Sequence, residues 1–379
     1  MKLNRNLFYL NNISFLSYVI FAIFIILIQN LFLNDTFLQG LFVSDALSLT
    51  ATYNNLFASN NFNIFDLDYT YLGLYYVYYF FEGYYWIPNL LFIYLSFILL
   101  NKLFFNLYGN YSNKVVFLLL LNPYNLLVIN YINKEIVLQF LIILFFYYFF
   151  KDKKLITILF LSTIVFFIRD AYGAILLGFY IFSIIFKNNF KIGIWIAFIL
   201  LYVVQLFIFQ FSDFPLIERN LDSTNNSFEH SSQILQDAQG IFYFLYKIIG
   251  NIVSLSLRPA FVTSTDGIFL LGIGYYFLGW VLLLTYVINI YGILTTHITY
   301  KFKLIFYFQI FSLLMVSQSF FIMPRYLFPF LPIYLLLSIY ILKNHKYKYY
   351  NNLLYLVPFF ILCAVIVLIY FNMNIVISI

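Results

Sequence analysis

With 379 residues, 64% of them hydrophobic and only 9% charged, the chain is far more apolar than the roughly 45–50% of a soluble domain. That excludes a soluble globular fold and points to a polytopic membrane protein. The net charge of +6 comes without a basic aromatic patch for nucleic acid and fits lysine-bearing cytoplasmic loops. The single cysteine, Cys363, excludes a disulfide framework and a thiolate metal site. Phe (51) and Tyr (37) are so abundant, as in the product of an AT-rich genome, that no individual ring signals a ligand.

Apolar stretches of about 20 residues recur, the length that crosses roughly 30 Å of hydrocarbon as a helix. They lack the alternation that a barrel strand requires, so an all-α fold is expected. Spans are placed over 13–33, 86–101, 115–130, 136–150, 155–168, 171–186, 192–211, 266–290, 304–323, 327–342 and 353–372. This makes one transmembrane domain, 1–379, of about eleven helices by the length rule. Lys2 and Arg5 precede the first span and hold the N-terminus in the cytoplasm. That span is long for a signal-peptide core and no small-residue cleavage site follows, so it is read as uncleaved.

The remaining charges test this topology. The cytoplasmic side receives Lys2, Arg5, Lys102, Lys114, Lys151, Lys153, Lys154, Lys187, Lys191, Lys301, Lys303, Lys343, Lys346 and Lys348, with Asp152 as its acid. The outer side receives Lys134, Arg169, Arg219, Lys247, Arg258, Arg325 and all other carboxylates. A span missed or invented in mid-chain would destroy this segregation.

Two outer regions are long. The first, 34–85, holds Asp35, Asp45, Asp66, Asp68 and Glu82 and no Lys or Arg. The second, 212–265, opens with a polar stretch and ends in IFYFLYKIIGNIVSLSLRPAF. In that ending Lys247 and Arg258 flank a half-length apolar run, expected to lie along the outer interface or re-enter it as an amphipathic segment. No internal repeat and no matched pair of broken helices of the transporter kind is visible.

Ionisable groups at membrane depth are costly and usually face a cavity. Three turns that open outward carry them: Lys134 with Glu135, Arg169 with Asp170, and Arg325 with Tyr326. For the first two pairs, snorkelling of helix-end charges to the interface is an equal reading. Around Arg325, the prolines Pro324, Pro329 and Pro332 free backbone groups that need a packed or wet setting. Outer carboxylates and outer cations together suit a phosphate-bearing substrate with a hydroxyl to be activated. No P-loop or Gly-rich nucleotide fingerprint is present. Asp66 and Asp68 offer the kind of carboxylate oxygens that hold Mg or Mn, a weak signal on its own. His297 and His345 fall in cytoplasmic loops and read as solvated. His230 beside Glu229 is either a general base near neutral pH or part of a flexible polar loop.

The stretches SDALSLTATYNN, LNP…NKE, FIRDAYG and PRYLFPFLP resemble bacterial enzymes of polyprenyl-linked glycans. The resemblance takes in both GT-C-fold glycosyltransferases and Wzy-type O-antigen and capsule repeat-unit polymerases. Length, span count and two sizeable outer loops look most like the polymerases. The GT-C likeness implies a catalytic acid in the first outer loop, here Asp45, with Asp66 or Asp68 competing for the role. It also implies a functional Arg325–Tyr326. The polymerase likeness implies outer-loop arginines, here Arg219 and Arg258.

On this resemblance, Lys134, Arg169, Arg258 and Arg325 would bind substrate phosphate, supported by Glu135, Asp170 and Tyr326. The implied activity is polymerisation of lipid-pyrophosphate-linked oligosaccharide units on the outer face of the bacterial inner membrane. No cofactor is implied, apart from a divalent ion if the enzyme is GT-C-like. The implied partners are the polyprenyl-pyrophosphate-linked oligosaccharide, membrane lipid, a chain-length regulator and a flippase. Two alternatives stand: a GT-C transferase adding one sugar from a polyprenyl phosphate, and a flippase or transporter of the lipid-linked glycan.

Overall fold

The computed structural model describes residues 72–81, 84–109, 129–151, 154–187, 189–208, 241–257, 263–264, 267–268, 270–295, 297–318 and 324–344, with residues 53 and 125 and scattered positions of 16–27. Those scattered positions are helical, as expected for the first span. The spans expected at 353–372 and, but for a few residues, at 115–130 lie outside the described residues.

Short helix α1 (Leu72–Tyr78) runs into a 3-10 turn, Tyr79–Phe81. There follow α2 (Trp86–Tyr108), α3 (Lys134–Lys151), α4 (Leu155–Ile168), α5 (Asp170–Ile185) and α6 (Phe190–Ile208). The second half holds α7 (Ile241–Leu257), a two-residue ladder of β1 (Thr263–Ser264) with β2 (Gly267–Ile268), α8 (Leu270–Thr295) and α9 (Tyr300–Val316). A 3-10 helix over Pro324–Phe330, the proline segment, leads directly into α10 (Leu331–Asn344).

Local chemistry sets these boundaries. Helix α2 runs past the expected end at residue 101 because Lys102 is exposed and can carry its charge out of the apolar layer. Gly109 stops it, with φ 73° and an N–H donated to the Phe105 carbonyl, the left-handed cap that glycine adopts without steric cost. Pro88 sits in the first turn of α2, where no intrahelical N–H is lost. The same holds for Pro332 in α10. The span expected over 327–342 is 3-10 up to Phe330 and α-helical from Leu331, because Pro324 and Pro329 take away donors an α-helix needs.

Among the described residues, three stretches are long and apolar enough to cross a membrane: Trp86–Tyr108, Phe277–Thr295 and Tyr326–Lys343. The bundle also turns apolar side chains outward, among them Ile156 and Phe160 on α4, Ile184 on α5, and Trp195, Ile199 and Leu200 on α6. A water-soluble protein rarely carries so continuous an apolar surface. The chain is a helical membrane protein.

The packing order runs α2 on α3, α3 on α4, α4 on α5, α6 on α9, α7 on α8, and α8 on α10. The proline segment touches α3, α7, α8, α9 and α10, so it is the hub of the bundle. Its Phe330 lies 5.2 Å from the Phe308 ring and 5.2 Å from Tyr172, and Phe308 in turn meets Phe146 at 4.6 Å and Phe179 at 5.0 Å. Between α8, α9 and α10 the apolar core gives way to a polar network. Asn289 Nδ2 donates to Gln309 Oε1 at 2.8 Å and to the Tyr334 carbonyl at 3.1 Å, while Ser338 Oγ donates to Asn289 Oδ1 at 2.7 Å. Such interhelical bonds are worth about 0.6 kcal/mol each in a membrane bundle and fix which helix faces meet.

Two close approaches depend on glycine. A Cβ on Gly173 of α5 would come within 2.6 Å of the Phe166 backbone on α4, and one on Gly292 of α8 within 2.3 Å of Ile341. Ile341 can turn away, whereas the Phe166 backbone cannot. Gly173→Ala is therefore expected to force α4 and α5 apart and destabilise the protein by about 1–3 kcal/mol. Reversible unfolding in mixed micelles measures this, and unchanged stability would contradict it.

Candidate functional site

The contacts gather helix ends at two poles. At the first, Lys301 Nζ donates to the Asn106 carbonyl at 3.3 Å, Tyr108 Oη donates to the Leu336 carbonyl, and Phe302 stacks on Tyr340 at 4.0 Å. Phe190 joins them through Tyr307, 4.7 Å away. Here lie the end of α2, the α5–α6 turn, the start of α9 and the end of α10. The lysines of this pole, Lys102, Lys151, Lys154, Lys187, Lys191, Lys301, Lys303 and Lys343, are all exposed.

The opposite pole is built differently. Its first part is the NKE turn before α3. Asn133 Oδ1 accepts the N–H of Glu135 at 2.8 Å and of Ile136 at 3.1 Å, capping the helix as asparagine commonly does. Asn89 Nδ2, near the start of α2, donates to the carbonyls of Ile129 at 2.7 Å and Tyr131 at 2.9 Å. Tyr78 of α1 donates its hydroxyl to Asn89 Oδ1 and accepts the Asn133 N–H at 3.2 Å. Burial pushes the Tyr78 hydroxyl well above the usual tyrosine range, so it serves this lock as a neutral group. The end of the acidic first loop is thereby fastened to the NKE turn.

Lys134, the first residue of α3, is only 5% exposed. It stands at the N-terminus of α3, where the positive end of a helix dipole favours anions. Snorkelling predicts an exposed head here and is not observed. Glu135 beside it is half-buried.

The second part is the turn between α4 and α5. Arg169 takes an extended conformation, φ −161° and ψ 108°, which separates the two helices. Its Nη2 donates to the Tyr326 hydroxyl at 3.0 Å, and its guanidinium lies 5.4 Å from the centroid of that ring, within cation–π reach. The Tyr172 hydroxyl donates to the Tyr326 carbonyl at 2.8 Å. The turn thus clasps the proline segment, joining Arg169 to Tyr326 across the sequence. With 14 residues, α4 rises about 21 Å at 1.5 Å per residue, short of the roughly 30 Å of a hydrocarbon layer. Arg169 is consequently recessed, and α1 packs against the short helix.

The third part is α7. The sequence suggests an amphipathic segment that lies along the outer interface or re-enters it; the structure gives an amphipathic helix whose polar stripe is buried. Phe244, Lys247 and Asn251 are buried, Lys247 to 2% exposure, while Leu245, Tyr246 and Ile249 are exposed. This helix packs on α8, α9 and the proline segment. Asn251 Nδ2 donates to the Lys247 carbonyl at 2.9 Å and to Ser317 Oγ at 3.4 Å. In lipid the apolar face turns outward and the polar stripe joins the other polar groups. The buried Lys247 was outside the expected site; its spacing to Phe244 and Asn251 on one helix face was the available signal.

Of the expected site residues, the structure brings Arg169 and Tyr326 together and puts Lys134 and Glu135 at the same pole. The backbones of Asp170 and Arg325 lie there too, at the start of α5 and in the proline segment, and their side chains fall outside the described set. Asp45, Asp66, Asp68, Arg219 and Arg258 lie outside the described residues. Among the described residues no group of three or more His, Cys, Asp or Glu side chains comes together; the suggested Mg or Mn site rests on Asp66 and Asp68.

Comparison with protein-family models, with curated proteins and with solved structures returns no match.

The cap at Asn133 supplies a direct check of this pole. Asn133→Ala is expected to cost about 1 kcal/mol, and Asn133→Ser to restore most of it. Equal losses for the two variants in mixed-micelle unfolding would contradict the capping role.

Proposed function

We propose that the chain is a membrane glycosyltransferase that polymerises lipid-pyrophosphate-linked oligosaccharide units on the outer face of the bacterial inner membrane. The observation that carries this reading is the contrast between the poles. One presents exposed lysines, as the positive-inside rule expects of a cytoplasmic face. The other holds Lys134 and Lys247 buried and Arg169 half-buried, where a charge is retained for a reason other than solubility.

In this reading the membrane is crossed about eleven times, by span length, with the N-terminus inside and the regions 34–85 and 212–265 outside. The polyprenyl pyrophosphate enters from lipid at the recessed pole. Arg169, Lys134, Arg258 and Arg325 neutralise its phosphates by charge-assisted hydrogen bonds. Asp45, with Asp66 and Asp68 as alternatives, takes the proton from an acceptor sugar hydroxyl. That oxygen bonds to the anomeric carbon of the donor as its bond to the pyrophosphate breaks, and the cations stabilise the charge on the departing group. Asp66 and Asp68 directly precede α1 in sequence, and α1 is fastened to the cation-bearing pole. Tyr326 is a positioning residue for Arg169.

A flippase would want polar groups open along the bundle axis. Against that, the mid-bundle groups Asn289, Gln309, Ser338 and Tyr334 bond mainly to one another. A single-sugar GT-C transferase would use the same pole and differs in its product. A gel of surface polysaccharide from a strain lacking this gene separates the three. Loss of the ladder with one repeat unit retained is the expected result. Loss or a size shift of that single unit would sink the polymerase reading.

A further inference from the structure

A lysine in the last turn of a helix answers the helix dipole, but two lysines of the exposed pole stand at the other end. Lys191 lies in the first turn of α6 and Lys303 in the first turn of α9, and neither turn holds an acid. Lys187 belongs to the turn that joins α5 to α6, and all three side chains are exposed. The acidic residues of the described set, Glu135 and Asp170, stand in the first turns of α3 and α5 at the opposite pole. Helix stability therefore does not account for this charge.

Packing brings the three lysines to one place. Phe190, directly before Lys191, stacks on Tyr307 at 4.7 Å and lies 6.1 Å from Tyr300. Tyr300, Lys303 and Tyr307 are spaced three and four apart, so they share one face of α9, and the two rings carry that face to the start of α6. Phe182 of α5 lies 5.8 Å from Phe190 and 5.1 Å from Phe186, which closes the turn that bears Lys187. Lys301 is directed elsewhere, its Nζ donating to the Asn106 carbonyl of α2 at 3.3 Å.

From Lys191 a spacing of four continues along α6 through Trp195, Ile199 and Val203, all exposed. Residues four apart form one ridge on a helix, and twelve residues at 1.5 Å each rise about 18 Å. Tryptophan one turn in favours the headgroup level of a membrane. A cluster of cations heading an apolar ridge of that length matches a phospholipid in charge and in form, whereas a soluble anion has no use for the ridge. Basic groups at the ends of membrane helices attract anionic headgroups. We propose that Lys187, Lys191 and Lys303 bind the headgroup of an anionic phospholipid whose acyl chain lies along Trp195, Ile199 and Val203. This site is separate from the recessed pole and does not depend on the glycosyltransferase reading.

Native mass spectrometry of the full chain, titrated with phosphatidylglycerol, phosphatidylcholine and glycerol 3-phosphate, reads the binding, with melting temperatures recorded alongside. The wild type is expected to bind phosphatidylglycerol at least about tenfold more tightly than phosphatidylcholine, a difference of about 1.4 kcal/mol. Lys187→Gln, Lys191→Gln and Lys303→Gln combined are expected to remove that preference, and the corresponding three Arg substitutions to keep it. Lys191→Gln alone, the milder change, is expected to lower it about threefold. Lys301→Gln with Lys343→Gln takes charge from the same pole beside the end of α2 and is expected to leave the preference intact. A preference kept by the triple Gln variant, or lost equally in the Lys301 and Lys343 pair, would overturn the site. So would glycerol 3-phosphate binding as tightly as the lipid, because the ligand would then be a free anion. A wild type indifferent to lipid charge would also overturn it and leave an acidic protein as the partner of these lysines.

Discussion

A cation buried at membrane depth is unfavourable until something negative or strongly polar comes to it, and the architecture of this bundle is arranged around that constraint. The exposed pole avoids it by letting every described lysine reach solvent. The other pole accepts it. Arg169 is supported by the hydroxyl and ring of Tyr326, and Lys134 stands at a helix start that favours anions. Lys247 faces the inside of the bundle with Asn251 as its neighbour on the helix face. The proline segment makes this possible, because a 3-10 stretch rich in aromatics packs against five helices at once while presenting Tyr326 to the Arg169 turn.

The surrounding structure holds these groups in place. Asn89, Tyr78 and Asn133 lock the NKE turn through buried hydrogen bonds, so the start of α3 cannot drift. Gly173 lets α4 and α5 close to backbone contact just below Arg169. The Asn289–Gln309–Ser338 network fixes α8, α9 and α10 against one another. Preorganised donors of this kind cost little reorganisation when a charged group arrives, which is what a phosphate-binding site in lipid needs.

Much of this was legible in the sequence. Helical class and the positions of most described helices follow from apolar run length and the placement of charge. In the structure Arg169 bonds to Tyr326, and α3, which begins with Lys134, packs on the proline segment. The Arg169–Tyr326 bond was not legible, because nothing in sequence spacing relates residues so far apart. The burial of Lys247 was less legible for a physical reason: an amphipathic helix is ordinarily read with water on its polar side, and lipid reverses that. One boundary differs for a local reason: Lys102 looks like the end of a helix that continues to Gly109. The span expected over 327–342 coincides with the apolar stretch Tyr326–Lys343. The carboxylates expected to do chemistry stay an inference from the chain's resemblance and from charge.

The central claim is that the buried-cation pole works on substrate and the exposed-lysine pole does not. It is tested most directly by complementing the deletion strain with Arg169→Gln in one case and with Lys301→Gln plus Lys303→Gln in another, at matched membrane abundance. The account predicts no polysaccharide ladder for Arg169→Gln and a full ladder for the double lysine variant. A full ladder with Arg169→Gln, or equal loss in both, would contradict it.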